Sequence, residues 1–226
     1  MKHGKKYREA LKKYDSEVFF DLTKAAETVK SLAFAKFDET IDISVKLNLK
    51  KSQTVRDTMV LPHQFRGEKR VLVFCKAEKE GEAKDAGAAF VGGDDLIEKI
   101  KGGWLDFDVA VATPDMMKDV GKLGMVLGRR GLMPNPKTGT VTFDLKGALS
   151  ELRKGRVEFR ADKTGVVHLA IGKVSMDVSK IAENARMVVS EIKRKKPSDA
   201  KGDFVQSISL ASTMGPGVWV SVTGDI

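Results

Sequence analysis

Hydrophobic and polar residues alternate strictly in one stretch of the N-terminal third, residues 41–50. Apolar residues fill the odd positions and polar residues the even ones, as in Ile41, Asp42, Ile43, Ser44, Val45, Lys46 and Leu47. A period of two predicts a strand with one buried face and one solvent-facing face. A helix is predicted just before it, over residues 21–35, where apolar residues recur at spacings of three and four. A short basic helix is expected at the N-terminus.

The last third of the chain returns to this mixture of half-buried strands and amphipathic helices. Strands are predicted at 166–171, 204–210 and 218–222, and a helix at 177–196. Pro197 follows that helix and cannot continue it. Neither end of the chain has enough strands to close a sheet, whereas together they supply about four strands and two helices. We therefore predict a discontinuous α+β sandwich formed by residues 1–67 and 159–226.

The middle of the chain has a different pattern. Uninterrupted apolar runs at 71–75, 88–92 and 109–113 alternate with predicted helices at 80–86, 94–100 and 115–127. Fully apolar strands between helices are typical of a parallel sheet that is covered on both faces. The fold class is therefore α/β and α+β in two domains, with a Rossmann-like three-layer α/β domain, residues 68–158, inserted into the end-to-end domain. The two chain crossings would act as a hinge.

The charge of the chain narrows the choice of partner. A net charge of +9 favours a polyanion, which could be RNA, DNA or an anionic membrane surface. The segments 1–67 and 160–226 together hold +8 of that charge, and the middle is nearly neutral. Because no apolar run approaches the ~18 residues of a membrane span, we expect a soluble, unexported protein without a membrane partner. The single cysteine, Cys75, lies in an apolar run, so we expect it to be buried rather than reactive.

The sequence lacks the residues that an enzyme would need. A Rossmann-like domain invites a nucleotide-dependent enzyme as the rival interpretation, but the chain contains neither GxGxxG nor GxxxxGK[ST]. The three histidines, His3, His63 and His168, are far apart in sequence and have no partners at metal-ligand spacing. We therefore predict no catalysis, no cofactor and no small-molecule substrate.

The strongest binding candidate is strand 204–210 with the turn after it. Val205, Ser207, Ser209 and Ala211 are predicted to share one face, and Ser212 and Thr213 continue this line of small side chains. Hydroxyls on an open sheet face can approach an RNA backbone and bond to phosphate or ribose 2′-OH groups. A merely solvated strand face is the alternative. The turn Met214-Gly215-Pro216-Gly217 has few side chains and would expose peptide groups to a partner.

Two further segments could contribute to binding. Phe37 follows the second helix beside Lys36, and an isolated Phe favours a core position, although an exposed one could stack on a base or ribose. Gly128-Arg129-Arg130-Gly131 has the GXXG spacing that clamps nucleotide backbones in some RNA-binding modules. Lys137 adds a cation in the loop that follows, and a solvent-exposed basic loop is the alternative.

These stretches resemble the bacterial ribosomal protein L-one family, which builds the mobile lateral stalk of the large ribosomal subunit. The matching stretches lie in the same order at 35–40, 92–93, 107–115, 131–137, 162–168 and 213–216, so the resemblance covers essentially the whole chain. It implies a cytoplasmic, ribosome-bound protein whose end-to-end domain grips a stalk element of large-subunit rRNA.

The resemblance also assigns residues and partners. It implies RNA contacts for Lys36, Phe37, Thr40, Lys163, Gly165, His168, Ser207, Ser209, Thr213, Met214 and Gly215. Lys46, Thr164 and Ser212 are predicted to bind RNA with them. A secondary basic loop comprises Arg129, Arg130 and Lys137, and the family usually has proline at position 129. Two more expected partners are deacylated tRNA leaving the exit site and the protein's own operon mRNA, whose translation family members repress. A regulatory RNA-binding protein that acts outside the ribosome is the remaining alternative.

Overall fold

The computed structural model describes residues 4–50, 53–67, 69–197 and 202–222. In chain order the helices and strands are α1 (Lys5–Leu11), α2 (Leu22–Leu32), β1 (Thr40–Leu47), β2 (Arg56–Val60), β3 (Val71–Phe74), α3 (Glu80–Asp85), β4 (Phe90–Gly92), α4 (Asp94–Lys101), β5 (Val109–Ala112), α5 (Met117–Val120), α6 (Gly124–Arg129), α7 (Leu145–Arg153), β6 (Arg156–Arg160), β7 (Val166–Lys173), α8 (Val178–Arg194), β8 (Val205–Ser212) and β9 (Gly217–Val220). Short 3-10 turns connect several of them.

Contacts within the chain divide it into two compact units. The end unit comprises Met1–Phe65 and Val157–Ile226, and the middle unit comprises Arg66–Arg156. Each division falls two residues before the boundary expected from the sequence.

The end unit is built on an antiparallel four-stranded sheet in the order β7-β1-β8-β9. The predicted alternation in β1 is confirmed, because Ile41, Ile43, Val45 and Leu47 are all buried. Helices α2 and α8 pack against each other and against this inner face, with residues such as Val29 and Val188 in the core. The even positions of β1 are partly exposed on the opposite side of the sheet, which we call the outer face.

A smaller two-stranded sheet, β2 with β6, completes the end unit and was not predicted. Met59 from β2 and Phe159 from β6 are buried in the same core as α2 and α8. Both strands have only five residues, of which two in β2 and three in β6 are charged, so their apolar pattern is weak.

The middle unit is a three-stranded parallel sheet in the order β4-β3-β5. Val71 and Val73 face a core that includes Leu149 of α7, whereas Leu72 and Phe74 face a core that includes Ile100 of α4. The sheet is therefore covered on both faces, and the predicted three-layer α/β class is confirmed. Cys75 is buried, and this burial raises the pKa of its thiol, as expected for an unreactive cysteine.

Two helix predictions in this unit were wrong. Helix α7 was missed, although Leu145, Leu149 and Leu152 are spaced along one face and Asp144 caps it by accepting from the Gly147 N–H at 3.0 Å. The single helix predicted at 115–127 is instead two short helices, α5 and α6, with 3-10 turns before each. Gly121 and Gly124 lie at these interruptions, where glycine weakens a continuous helix.

Within the described residues, no helix is both long enough and apolar enough to cross a membrane.

Candidate nucleic-acid interface

The strand register of the end unit brings four polar or aromatic residues into one row across the outer face. His168 of β7 pairs with Ser44 of β1, Ser44 pairs with Ser209 of β8, and Ser209 pairs with Trp219 of β9. The Ser44 hydroxyl lies 2.9 Å from Nδ1 of His168, so these two side chains share a hydrogen bond. The row presents donors, acceptors and an aromatic ring on the same side of the sheet.

A second row lies one step along the same strands. Lys46 of β1 pairs with Ser207 of β8 on one side and with Val166 of β7 on the other. The Lys46 ammonium donates to the Thr164 carbonyl oxygen, so it is held beside the turn that precedes β7. This contact fixes a positive charge at the edge of the outer face.

The turn at residues 162–165 is organised by the Asp162 carboxylate. Its Oδ1 accepts from the Val166 N–H at 2.9 Å and from the Thr164 N–H at 2.8 Å, and the Thr164 hydroxyl also donates to it at 2.7 Å. The bond from Val166, followed by those from Thr164, lowers the pKa of Asp162. The Thr164 hydroxyl is thus engaged within the turn, and Lys163 remains as the exposed cation.

Gly165 closes this turn against β1. It has φ +79° and is buried, and its carbonyl oxygen accepts from the Leu47 N–H at 2.8 Å. A Cβ at this position would lie 3.0 Å from the Leu47 carbonyl oxygen. Gly165 therefore shapes the turn that carries Lys163, and its predicted RNA contact stays a prediction.

Gly165→Ala is expected to destabilise the end unit by roughly 1–3 kcal/mol, because alanine is strained at positive φ and its Cβ would crowd β1. Urea unfolding of the end unit, followed by Trp219 emission in a Trp104→Phe background, measures the effect. Gly217→Ala is the matched control, because a Cβ there meets no atom within 4 Å. Equal unfolding midpoints for the two variants would rule out a structural requirement for glycine at 165.

The Glu39 carboxylate joins the loop after α2 to the turn after β8. One oxygen accepts from the N–H groups of Phe34 at 3.0 Å and Ala35 at 2.8 Å, and the other accepts from the Met214 N–H at 3.1 Å. Glu39 is buried although it carries a charge. A buried carboxylate is tolerated only when it is hydrogen-bonded, so these bonds hold both segments in a fixed position.

The ionisation of Glu39 depends on this set of bonds. Burial acts to raise its pKa, but the hydrogen bonds from the Ser212 hydroxyl and from the Ala35, Met214 and Phe34 N–H groups outweigh burial and lower the pKa overall. Glu39 is therefore ionised at neutral pH, and the turn after β8 is built around a negative charge.

The turn at residues 212–216 is fixed by further bonds to β1. Thr213 Oγ1 accepts from the Thr40 N–H at 3.0 Å and donates to the Thr40 carbonyl oxygen at 3.2 Å. The Gly215 N–H donates to the Ser212 hydroxyl at 3.2 Å, and a Cβ on Gly215 would lie 2.4 Å from that hydroxyl. The turn therefore has one defined shape and no space for a side chain at position 215.

Ser212 does not lie where it was predicted. It pairs with Ile41, whose side chain points inward, and it is itself buried. Since alternate residues of a strand face opposite sides, Ser207, Ser209 and Ala211 share the outer face while Ser212 cannot. Its hydroxyl bonds to Glu39 and Gly215, so the predicted direct contact of Ser212 with RNA is replaced by a role in shaping the turn.

The start of β8 also differs from the prediction. A bulge opposite Lys46 and Leu47 leaves Gln206 without a partner in the register, so Val205 is buried and Gln206 is exposed. One extra residue in a strand reverses the sides of all residues before it. The prediction that Val205 shares the face of Ser207 was therefore wrong.

Phe37 and Met214 project apolar side chains beside this turn. Phe37 is 56% exposed and Met214 is 52% exposed, so the core position favoured for Phe37 was wrong. The neighbouring Asp38 accepts from the Ser175 hydroxyl at 2.9 Å and from its N–H at 3.0 Å, and these bonds lower the pKa of Asp38. With Asp38 and Glu39 both anchored, Lys36 and Phe37 are left exposed at the tip of the loop.

The middle unit presents the predicted basic loop in another form. Arg129 is the last residue of α6, Arg130 caps the helix, and Gly131 follows with φ +70°. The GXXG segment therefore forms the C-terminal end of α6. The Leu132 N–H closes this end by donating to the Leu127 carbonyl oxygen at 2.9 Å. Arg129 and Arg130 are exposed, and Lys137 lies in a 3-10 turn with its side chain outside the described part of the structure.

Comparison with known proteins places these features in a family. Residues 29–216 match the model of the ribosomal protein L1p/L10e family. The chain belongs to this family. It is 68% identical to the large ribosomal subunit protein uL1 of Treponema denticola and 64% identical to that of Treponema pallidum strain Nichols, over 97% of each chain in both cases. The uL1 protein of Borrelia hermsii is 58% identical, over 96% of this chain and 97% of its own.

Family membership settles the class of protein. The family consists of structural ribosomal proteins, so the chain is not an enzyme, and the nucleotide-dependent alternative is excluded. The match spans the loop at 36–40 and the turn at 212–216, but it ends before β9.

In the described part of the chain, no three His, Cys, Asp or Glu side chains lie together as a metal site would require.

Three residues of this surface were missed from sequence. Glu39 shares the odd numbering of the inward residues Ile41 and Ile43, so a buried carboxylate could have been inferred there. Ser44 was recognised as outward but not as a partner of His168, since only the strand register reveals that pairing. Trp219 gave no signal, because a tryptophan in an apolar strand is more often part of a core.

Proposed function

We propose that this chain is a structural constituent of the large ribosomal subunit in the cytoplasm and that it binds large-subunit rRNA through the end unit. The observation that carries this proposal is the rigid turn at residues 212–216, which Glu39 and Thr40 hold beside an open sheet face of serines. The names of its relatives and its net charge of +9 support the same conclusion.

The chemistry of the surface favours recognition of RNA shape over recognition of base sequence. Ser207 and Ser209 offer hydroxyls on the outer face, and Gly215 adds no side chain to the turn beside them. Such groups suit phosphate oxygens and ribose 2′-OH groups. The exposed cations Lys36 and Lys163 would pair with phosphates, while Phe37 and Met214 would pack against ribose or base.

The rRNA target in this proposal is the element that forms the lateral stalk of the large subunit, and the same surface serves a second RNA. An operon mRNA that folds into a similar shape would occupy the same outer face and turn, so only one of the two RNAs could bind at a time. Repression would therefore follow mass action, with rRNA in excess removing the protein from the mRNA.

The middle unit has a separate role in the proposal. Its exposed Arg129 and Arg130 would make weaker phosphate contacts with deacylated tRNA at the exit site and so assist its release. Arginine at position 129, where the family usually has proline, supplies an additional cation for this contact.

Binding of a stalk rRNA fragment to the full-length protein across a salt series tests the proposal. Neutralising about five phosphates predicts a log–log slope of roughly −3.5 to −4.5. Thr213→Ala and Met214→Ala should each weaken binding by roughly 5- to 100-fold, or ~1–3 kcal/mol. The first removes the bonds to Thr40 that hold the turn, and the second removes an exposed side chain proposed to pack against the RNA. Met187→Ala is the matched control, because this exposed methionine lies on α8, behind the opposite face of the sheet.

Two results would contradict the proposal. One is binding that is weak or insensitive to salt. The other is tight binding that is unaffected by the Thr213 and Met214 variants. Co-sedimentation with large subunits distinguishes a ribosomal constituent from a regulator that acts outside the ribosome.

A further inference from the structure

The fourth strand of the sheet carries an exposed aromatic side chain on the outer face. Trp219 is 41% exposed, while its neighbours Val218 and Val220 are buried on the inner face. It pairs with Ser209 and so completes the row that runs through Ser44 to His168. At ~4.8 Å between strands, this row spans ~14 Å. Burying a tryptophan is strongly favourable, so one left at the end of a polar row is suited to a partner.

A second aromatic residue lies at the adjoining edge. The Phe20 N–H donates to the Trp219 carbonyl oxygen at 3.0 Å, and the Ser221 N–H donates to the Phe20 carbonyl oxygen at 2.9 Å, so Phe20 pairs with Val220. Phe20 packs against the core, whereas Phe19 is 63% exposed. Alternation along an extended backbone places Phe19 on the same side as Trp219.

Positive charge is tied to this strand from the N-terminal side. The Tyr14 hydroxyl donates to the Gly217 carbonyl oxygen at 2.7 Å, which connects the segment after α1 to the start of β9. The exposed charged residues between positions 4 and 14 are Lys5, Lys6, Arg8, Glu9, Lys12 and Lys13. The carboxylates of Asp15, Glu17 and Asp21 come after Tyr14, so the positive charge is concentrated on and just after α1. Aromatic rings beside cations are typical of surfaces that bind unpaired nucleotides.

We propose that Trp219 is an additional RNA-binding residue, on which an unpaired base or a ribose of the bound rRNA stacks. It extends the interface to β9, beyond residues 29–216 that the family model matches. RNA is favoured over a protein partner because Trp219 continues the row of hydroxyl and imidazole groups proposed to bind RNA. This inference rests on the proposed function of the outer face.

The chain contains only two tryptophans, which makes the test direct. Trp104 lies in the middle unit, in edge-to-face contact with Phe90 at 4.8 Å, so a Trp104→Phe background leaves Trp219 as the single reporter. Titration of that full-length protein with the stalk rRNA fragment should quench Trp219 emission and saturate at the concentration given by filter binding. Unchanged emission at saturation would overturn the proposal.

Affinity measurements provide the second readout. Trp219→Ala should weaken binding roughly 5- to 100-fold, and Trp219→Phe should restore most of the affinity. Because stacking neutralises no phosphate, the salt slope of Trp219→Ala should equal that of the wild type, whereas a disrupted interface would change it. Phe143→Ala, at an exposed aromatic residue of the middle unit, is the matched control and should bind normally.

The outcomes separate this inference from the proposed function. If Trp219→Ala binds as the wild type does while Thr213→Ala is impaired, the outer face binds RNA without Trp219, and this inference is wrong. If the wild type fails to bind, the proposed function itself fails. Normal RNA affinity with impaired co-sedimentation of Trp219→Ala would indicate a protein neighbour in the subunit and would also overturn the inference.

Discussion

Replacement of Glu39 with alanine is expected to weaken binding of the stalk rRNA fragment by at least about a hundredfold and to destabilise the end unit by roughly 2–4 kcal/mol. Three backbone N–H groups, those of Phe34, Ala35 and Met214, would lose their acceptor at once. Each unsatisfied buried donor is unfavourable by ~1–3 kcal/mol, although water entering the site would offset part of this. Affinity falls further because the turn carrying Thr213 and Met214 would no longer be held in its binding shape.

Glu39→Gln separates the charge from the shape of the side chain. Glutamine could still accept from Phe34 and Ala35 through its carbonyl oxygen, but its amide nitrogen would then face the Met214 N–H, and two donors cannot bond. We expect an intermediate loss of affinity and stability. Glu158→Gln is the control, because its carboxylate makes a surface ion pair with Arg56, and such pairs contribute ~0–1 kcal/mol. Wild-type affinity for Glu39→Ala would show that the turn does not depend on this carboxylate.

The same substitution should alter the pH dependence of stability. Because the pKa of Glu39 is lowered on folding, its ionised form contributes stability above the ordinary value of 4.5, and this contribution is lost as the pH falls through the lower folded value. Glu39→Gln should therefore lose less stability than the wild type on acidification below that value. Asp38 and Asp162 also have lowered pKa values, so both proteins will still weaken in acid. Parallel acid titrations of the two proteins would contradict this assignment.

Asn184→Leu is expected to destabilise the end unit by roughly 2–4 kcal/mol. Asn184 is fully buried on α8, where its side-chain oxygen accepts from the His63 N–H at 3.0 Å. Its amide donates to the His63 carbonyl oxygen at 2.9 Å and to the Ile171 carbonyl oxygen at 2.7 Å. Leucine fills a similar volume but leaves these three backbone groups without a partner. The segment around His63, which leads from the end unit into the middle unit, would also lose its attachment to α8.

Urea unfolding reported by Trp219 in the Trp104→Phe background measures this effect. His63→Ala is the control in the same segment, because it removes only the partly exposed contact between His63 and Glu183, 2.5 Å apart, and should shift the free energy of unfolding by less than about 1 kcal/mol. A leucine variant as stable as the alanine variant would mean that Asn184 does not anchor the segment.

In the end unit, the elements predicted most clearly from sequence are those whose burial pattern is one-sided and long. Strand β1 shows eight residues of uninterrupted alternation, and α8 keeps an apolar face over seventeen residues, so each pattern has one interpretation. The end of α2 was predicted three residues too late, at 35 instead of Leu32. The physical reason is Glu39, whose carboxylate accepts from the Phe34 and Ala35 N–H groups and so replaces the helix carbonyls as their partner.

The binding surface was predictable in part. The alternation of residues along β8 correctly predicted that Ser207 and Ser209 lie on the outer face. The bulge at Gln206 could not be inferred, because it depends on how β8 pairs with β1. The same limitation hid the row from His168 to Trp219, whose members are scattered in sequence and meet only through strand register. Residue types therefore indicated an RNA-binding chain, whereas the arrangement of the surface required the fold.

Amide hydrogen exchange of the full-length protein, with and without the stalk rRNA fragment, shows which unit contacts the RNA. We expect slower exchange on RNA binding in the loop at residues 36–40 and at residues 205–215 of the end unit, with smaller changes in the middle unit. Slower exchange confined to the middle unit, around Arg129 and Arg130, with residues 205–215 unchanged, would contradict RNA binding through the end unit.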